Sequence, residues 1–275
     1  MLNSTDTPAP EKIKIMETFS IKQLGIMTFV AAVLLDLTAC GGGDNNTPPV
    51  TGGIRAANGI VDSTGLNMSV ASVASFTGIA VDSASTISYI PVSVVESYNA
   101  TLTSNGASFS LGGISADQDK VTTIVTFGEV GSGTQGAFAV EESVSAPGGN
   151  QAVVQPIHAA LLASSTALSL TFYFVAPSEC SSAIAAATAK GAATFKGSPS
   201  TFTLAQGTYE ICVADAAGTV LFDSGPDGIA LPAANSNVFQ LAAFDVPSAK
   251  GNGSTLMLSL LDNAGGNTAL YNLKN

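Results

Sequence analysis

The chain has 275 residues, enough for one large domain or two of ordinary size. Apolar residues make up 46% and charged ones only 11%, which excludes polyelectrolyte-type disorder, and a net charge of −11 repels phosphate backbones and excludes nucleic acid as a partner. With no Trp, one His and nine Lys plus Arg, it is poor in bases, metal ligands and activating partners, so an enzyme is not expected and no cofactor is implied.

Residues 1–39 read as an export signal, of which 1–15 are an upstream extension if translation begins at Met16. Lys22 precedes an apolar run from Leu24 to Leu35, too short for the ~20 residues that span a bilayer. The run ends in Leu37-Thr38-Ala39-Cys40, which resembles the lipobox of bacterial lipoproteins. That resemblance implies cleavage before Cys40 and diacylation of its thiol. Asp36 is discordant, because a carboxylate at the end of the apolar segment opposes insertion. Residues 40–54 are rich in Gly, Asn and Pro and read as a lipidated tether. Removing residues 1–39 leaves 16 acids and 6 bases, a net charge of −10, suited to an exported protein beside an anionic membrane. Gly41 stands where an aspartate retains enterobacterial lipoproteins in the inner membrane, so the expected address is the outer membrane, facing the periplasm or the surface.

Beyond the tether, short β-branched and aromatic runs recur at Val92–Leu102, Val121–Phe127, Ala137–Glu141, Ala167–Val175, Thr208–Val213, Val238–Phe244 and Leu256–Leu261. Glycine-bearing turns such as Asn105-Gly106, Ala217-Gly218 and Gly265-Gly266-Asn267 separate them. This spacing predicts an all-β chain of antiparallel sandwiches, with Ser181 to Lys190 the one helical candidate. Two halves repeat one plan. Each opens with a strand (Arg55–Val61; Val153–Ala159), and late in each come a strand ending in Phe (Val121–Phe127; Val238–Phe244), a Gly/Ser loop, a further strand and a Gly-Gly-Asn turn. The expected domains are 55–147 and 151–275.

The order of features resembles the family of uncharacterised bacterial-surface domains designated domain of unknown function four-three-nine-seven. The resemblance spans about residues 55–275 and rests mainly on His158-Ala159 after a strand, Gly207-Thr208-Tyr209 opening a strand, Thr219–Ser224 after a hairpin, and Leu258–Leu261 with Asp262-Asn263. It implies two tandem immunoglobulin-like β-sandwiches and no reaction. At the opening histidine the chain departs from the family's acidic turn, carrying Ala160-Leu161-Leu162-Ala163 instead.

Few residues offer chemistry. Leu221-Phe222-Asp223-Ser224-Gly225 matches the active-site turn of aspartic proteases, but that chemistry needs two such carboxyls sharing a proton, and Asp62-Ser63-Thr64-Gly65 and Asp82-Ser83-Ala84 supply no second copy. A hairpin turn is the preferred reading of Asp223, and it also outweighs a calcium loop over Asp223 to Gly228. His158 is the sole histidine, which excludes multi-histidine metal sites, and it reads as fixing a turn by bonding to backbone. There is no Gly-x-Ser-x-Gly elbow and no phosphate loop with lysine. With Cys40 lipidated, Cys180 and Cys212 form an even pair in an oxidising compartment and read as a disulfide, two buried thiols being the alternative.

The functional expectation is a lipid-anchored, non-enzymatic envelope protein that binds a surface ligand or protein partner through its sandwich domains. The alternatives are a structural spacer without a ligand, and a hydrolase using Asp223 or His158.

Overall fold

The β-branched runs bounded by turn residues form the strands, and strands with apolar residues on both faces become the inner layers. The computed structural model describes residues 51–91, 97–143, 147–148, 150–161, 169–180, 184, 190–197, 201–231, 237–246 and 256–272. In the first half these are β1 (Thr51–Asn58), β2 (Leu66–Val70), β3 (Ala74–Ile79), β4 (Ser83–Ala84), β5 (Ser88–Pro91), β6 (Tyr98–Ser104), β7 (Ala107–Ile114), β8 (Lys120–Phe127) and β9 (Gly136–Ser143). The second half begins with β10 (Gln151–His158), β11 (Ser169–Val175), β12 (Gly191–Thr194), β13 (Phe202–Ala205) and β14 (Gly207–Ala214). It closes with β15 (Val220–Asp223), β16 (Ile229–Leu231), β17 (Val238–Asp245), β18 (Leu256–Asp262) and β19 (Asn267–Leu270).

Four sheets result. The first inner sheet has the order β4-β1-β8-β9, with β5 also paired to β1, and the first outer sheet has the order β3-β2-β6-β7. The second inner sheet runs β13-β10-β17-β18-β19, and the second outer sheet runs β12-β11-β14-β15, with β16 paired to β14. The outer sheets therefore share one order, strand for strand. The inner sheets share the pairing of the opening strand with a late one: β1 lies parallel to β8 and β10 parallel to β17. Purely antiparallel sandwiches were expected, and these two pairs depart from that. The outer-sheet strands between them in sequence act as the crossover that a parallel pair requires.

Each inner sheet shares a core with its outer sheet. Ile54 and Ala56 of β1 and Ile124 of β8 pack with Leu66, Met68, Ala100 and Leu102 of the first outer sheet. In the second half Phe239, Leu241 and Leu258 meet Phe172, Ile211 and Val213. The alternate faces of the inner strands are buried too. Ala57, Val125, Phe127 and Val140 of the first half form one further cluster with Ile157, Ala159, Ala242, Phe244, Met257 and Leu261 of the second. Residues 48–275 accordingly make one compact unit. Hydroxyl residues of the inner strands are enclosed with them, as at Thr122, Thr123, Thr126 and Ser259.

Asn105 and Gly106 join β6 to β7 with φ of 49° and 81°, the left-handed pair that a two-residue hairpin loop demands. The run expected from Val92 starts as a described strand only at Tyr98, residues 92–96 being outside the described set, and Ser181 to Lys190 falls almost wholly outside it as well. No helix among the described residues is long and apolar enough to cross a membrane.

Candidate functional site

Cys40 and the leader lie outside the described residues. The other two cysteines are joined. Cys180, just after β11, and Cys212 in β14 form a disulfide with Cα atoms 5.8 Å apart, buried in a small apolar cluster with Val175, Tyr173, Ile184 and Val220. Closing a loop over this 32-residue separation stabilises by about 3–4 kcal/mol in the chain-entropy model.

Two acids flank the disulfide. Glu210 sits two residues before Cys212 on the same face of β14, and Asp223 of β15 is the cross-strand partner of Cys212. Oε2 of Glu210 accepts the backbone N–H groups of Glu179 and Cys180 at 2.7 and 2.8 Å. Burial pushes the Glu210 carboxyl above its usual range. The Cys180 N–H opposes that shift, and a hydrogen bond shared with the Asp223 carboxyl reinforces it. Oδ1 of Asp223 accepts Gly225 N–H at 2.8 Å, with Gly225 at φ 86°, and Ser224 Oγ accepts Ile211 N–H. These bonds build a turn of the kind expected for Asp223-Ser224-Gly225. Asp227 is exposed and joins no cation-binding group of side chains among the described residues.

His158 ends β10 and lies elsewhere. Its Nδ1 accepts Ala160 N–H at 3.3 Å, and its ring meets Phe195 edge-on. At the matching place in the first half, Asn58 Oδ1 accepts Ile60 N–H at 3.1 Å. Both side chains thus do the same work: each holds the N–H two residues on, at the end of an opening strand.

The largest concentration of buried polar groups is one that the sequence reading passed over, on the facing sides of the inner sheets. Arg55 of β1 is fully buried. Its Nε donates to Thr123 Oγ1 at 2.8 Å, Nη2 donates to Gln240 Oε1 at 3.0 Å, and Nη1 donates to the Asp262 carbonyl. Glu142 Oε1 lies 3.5 Å from Nη2. Gln240 Nε2 donates to Gln155 Oε1 at 2.8 Å, and Gln155 Nε2 donates to the Glu141 carbonyl. Thr123 Oγ1 also donates to Gln240 Oε1, so four hydrogen bonds of this network join the two halves. Burial raises the Glu142 carboxyl to about 7 despite the pull of Arg55, and its Oε2 has no hydrogen-bond partner among the described residues. The signal in the sequence is a single polar residue within otherwise apolar inner strands: Arg55, Gln155 and Gln240.

What stays open at this seam is a recess of about 330 Å³ lined by Ser115, Thr122, Ala139, Glu141 and Gln155. Glu141 there accepts hydrogen bonds from Ser115 Oγ and from Lys120 Nζ. No protein-family model matches this sequence, and no curated protein is found to be similar to it.

Proposed function

We propose that this is a lipid-anchored, non-enzymatic protein of the bacterial envelope, held by acylated Cys40 at the outer membrane, that binds a surface ligand or protein partner. The observation that carries the binding reading is the recess at the seam, where Ser115, Thr122 and Glu141 of one half and Gln155 of the other turn polar groups toward one concavity. Asp223 and His158, the side chains a hydrolase would use, are engaged in turns on different strands and have separate neighbours. Each half is read as immunoglobulin-like, in keeping with the paired sheets and with the resemblance to domain of unknown function four-three-nine-seven. A second reading, a structural spacer, draws support from the apolar core that joins the halves, which makes them a single stiff body.

Two measurements test this. Cys40→Ser moves the protein from the membrane to the soluble fraction, and the wild type carries acyl mass on residue 40; membrane retention of the variant without acyl mass on the wild type refutes the anchor. Purified protein is then sedimented with whole envelope fragments. Ala139→Trp, which fills the recess from an exposed strand position, abolishes co-sedimentation if the recess binds, whereas a spacer shows none with either protein.

A further inference from the structure

The disulfide has unusual company for a purely structural crosslink. Sγ of Cys180 and carboxylate oxygens of Glu210 and Asp223 all lie within 4.8 Å of one another, and the Cys212 sulfur is bonded to the first of them. Two sulfurs and two carboxylates thus converge from fixed positions. Glu210 and Cys212 share a face of β14, Asp223 stands opposite Cys212 on β15, and Cys180 is tied through its N–H to Glu210. Two carboxylates placed together repel each other when both are charged, and a cation between them removes that repulsion.

We propose that the dithiol form of the protein binds one zinc-class divalent cation through Cys180, Cys212, Glu210 and Asp223, so that the disulfide and the metal are alternative occupants of one site. Two thiolates with two carboxylate oxygens are a borderline-soft, four-donor set that suits zinc and is poor for calcium or magnesium, which take six or more oxygens. A tetrahedral zinc ion with bonds of about 2.0–2.3 Å sets its donors roughly 3.3–3.8 Å apart, so the Cys180, Glu210 and Asp223 donors close by up to about 1.5 Å while the two sulfurs, bonded to each other in the disulfide, move apart. The supporting groups are in place: two backbone N–H groups orient Glu210, Gly225 N–H orients Asp223, and Val175, Tyr173, Ile184 and Val220 form a dry wall. Interconversion is thiol–disulfide exchange with an external dithiol. One reductant thiolate attacks a cystine sulfur and expels the other protein sulfur. The second reductant thiolate then closes the reductant's own disulfide and expels the first protein sulfur. Two electrons pass to the protein, and each released sulfur carries a proton until the cation replaces it.

The test uses the full chain, reduced with a phosphine in oxygen-free buffer and titrated with cobalt(II) as a spectroscopic stand-in for zinc. One cobalt per chain is expected, with the visible bands of a tetrahedral ion and a thiolate charge-transfer band, both removed by added zinc and absent from the oxidised protein. Cys180→Ser removes most of the charge-transfer intensity, and Glu210→Gln and Asp223→Asn each lower the affinity about tenfold or more. A reduced, folded protein without these bands, or with bands indifferent to both acid variants, overturns the proposal. If reduction unfolds the chain, zinc must restore the β-sheet circular dichroism in the wild type and fail to do so in Glu210→Gln; zinc that restores neither, or both alike, also overturns it.

Discussion

The two halves follow the same strand plan, yet at matching positions they carry complementary residues. Arg55 and Thr123 are register partners across the parallel pair of the first inner sheet, and Gln155 and Gln240 are register partners in the second. Each set faces the other, so a guanidinium and a hydroxyl on one side meet two amides on the other, and their donors and acceptors interlock. Gly59 follows the opening strand of the first half where Ala159 follows that of the second, and the missing side chain is where Phe244 enters. Two copies of either half would pair guanidinium with guanidinium or amide with amide. The difference teaches that the halves are fitted to one another, and that repetition of the plan does not make them interchangeable.

The strongest way to break this fit is to remove the buried cation at its centre. Arg55→Ala leaves Glu142 buried without its counter-charge and strips hydrogen bonds from Gln240, Thr123 and the Asp262 carbonyl. Breaking a buried pair on one side costs about 3–5 kcal/mol. Urea denaturation at pH 8, above the value of about 7 that Glu142 has beside Arg55, measures it. Adding Glu142→Gln to Arg55→Ala recovers part of the loss, and a double variant no more stable than the single one refutes a charge-based origin.

Glu142 itself sharpens the comparison through pH. Its carboxyl sits at about 7 in the folded protein against an ordinary value of 4.5, because burial outweighs Arg55, and the charge of Asp262 adds to the rise. The folded state therefore holds this proton more tightly than the unfolded one. Its contribution to stability is fully present below pH 4.5 and is lost as pH climbs through 7. Relative to Glu142→Gln, the wild type should lose on the order of 2–3 kcal/mol between pH 4.5 and pH 8. Denaturation curves for both proteins at several pH values read this difference directly, and a constant gap across the range refutes it.

Strand positions were legible because β-branched runs and glycine turns are local signals; β8, β14, β17 and β18 lie within a residue or so of the runs that announce them. The parallel pairings were not legible, since nothing within Arg55–Val61 or Val121–Phe127 encodes which strand lies beside it. A two-layer sandwich for each half leaves one strand face to solvent and so gives no reason to look for partners of Arg55, Gln155 and Gln240 inside. Their strands are apolar on both sides of the pleat, the pattern of a layer covered on two faces, and a polar residue in such a strand has to find a partner inside. The even cysteine count pointed to the pairing of Cys180 with Cys212. Glu210 escaped notice because its nearness to Asp223 depends on the register of β14 against β15.

The smallest effect expected probes the closest approach between the halves. A Cβ at Gly59 lies 2.1 Å from Phe244 Cδ1 and 2.6 Å from the Thr126 carbonyl oxygen, so both a movable ring and fixed backbone stand in its way. The ring belongs to the second half, while the carbonyl belongs to β8, beside Gly59 itself. Gly59→Ala therefore costs about 1–3 kcal/mol as an overpacking change, and part of that cost lies across the seam. Phe244→Leu opens space and loses packing in its own right. In the double variant the two losses should fall short of their sum, because the smaller side chain makes room for the new methyl; the shortfall isolates the cross-seam contact from the clash with Thr126. Ala159→Gly serves as the control at the matching position, where Ala159 is already accommodated in the same apolar cluster and truncation only removes a methyl. Strict additivity of Gly59→Ala and Phe244→Leu in denaturant unfolding means that the alanine is absorbed within the first half, and that the glycine is not there to admit the ring.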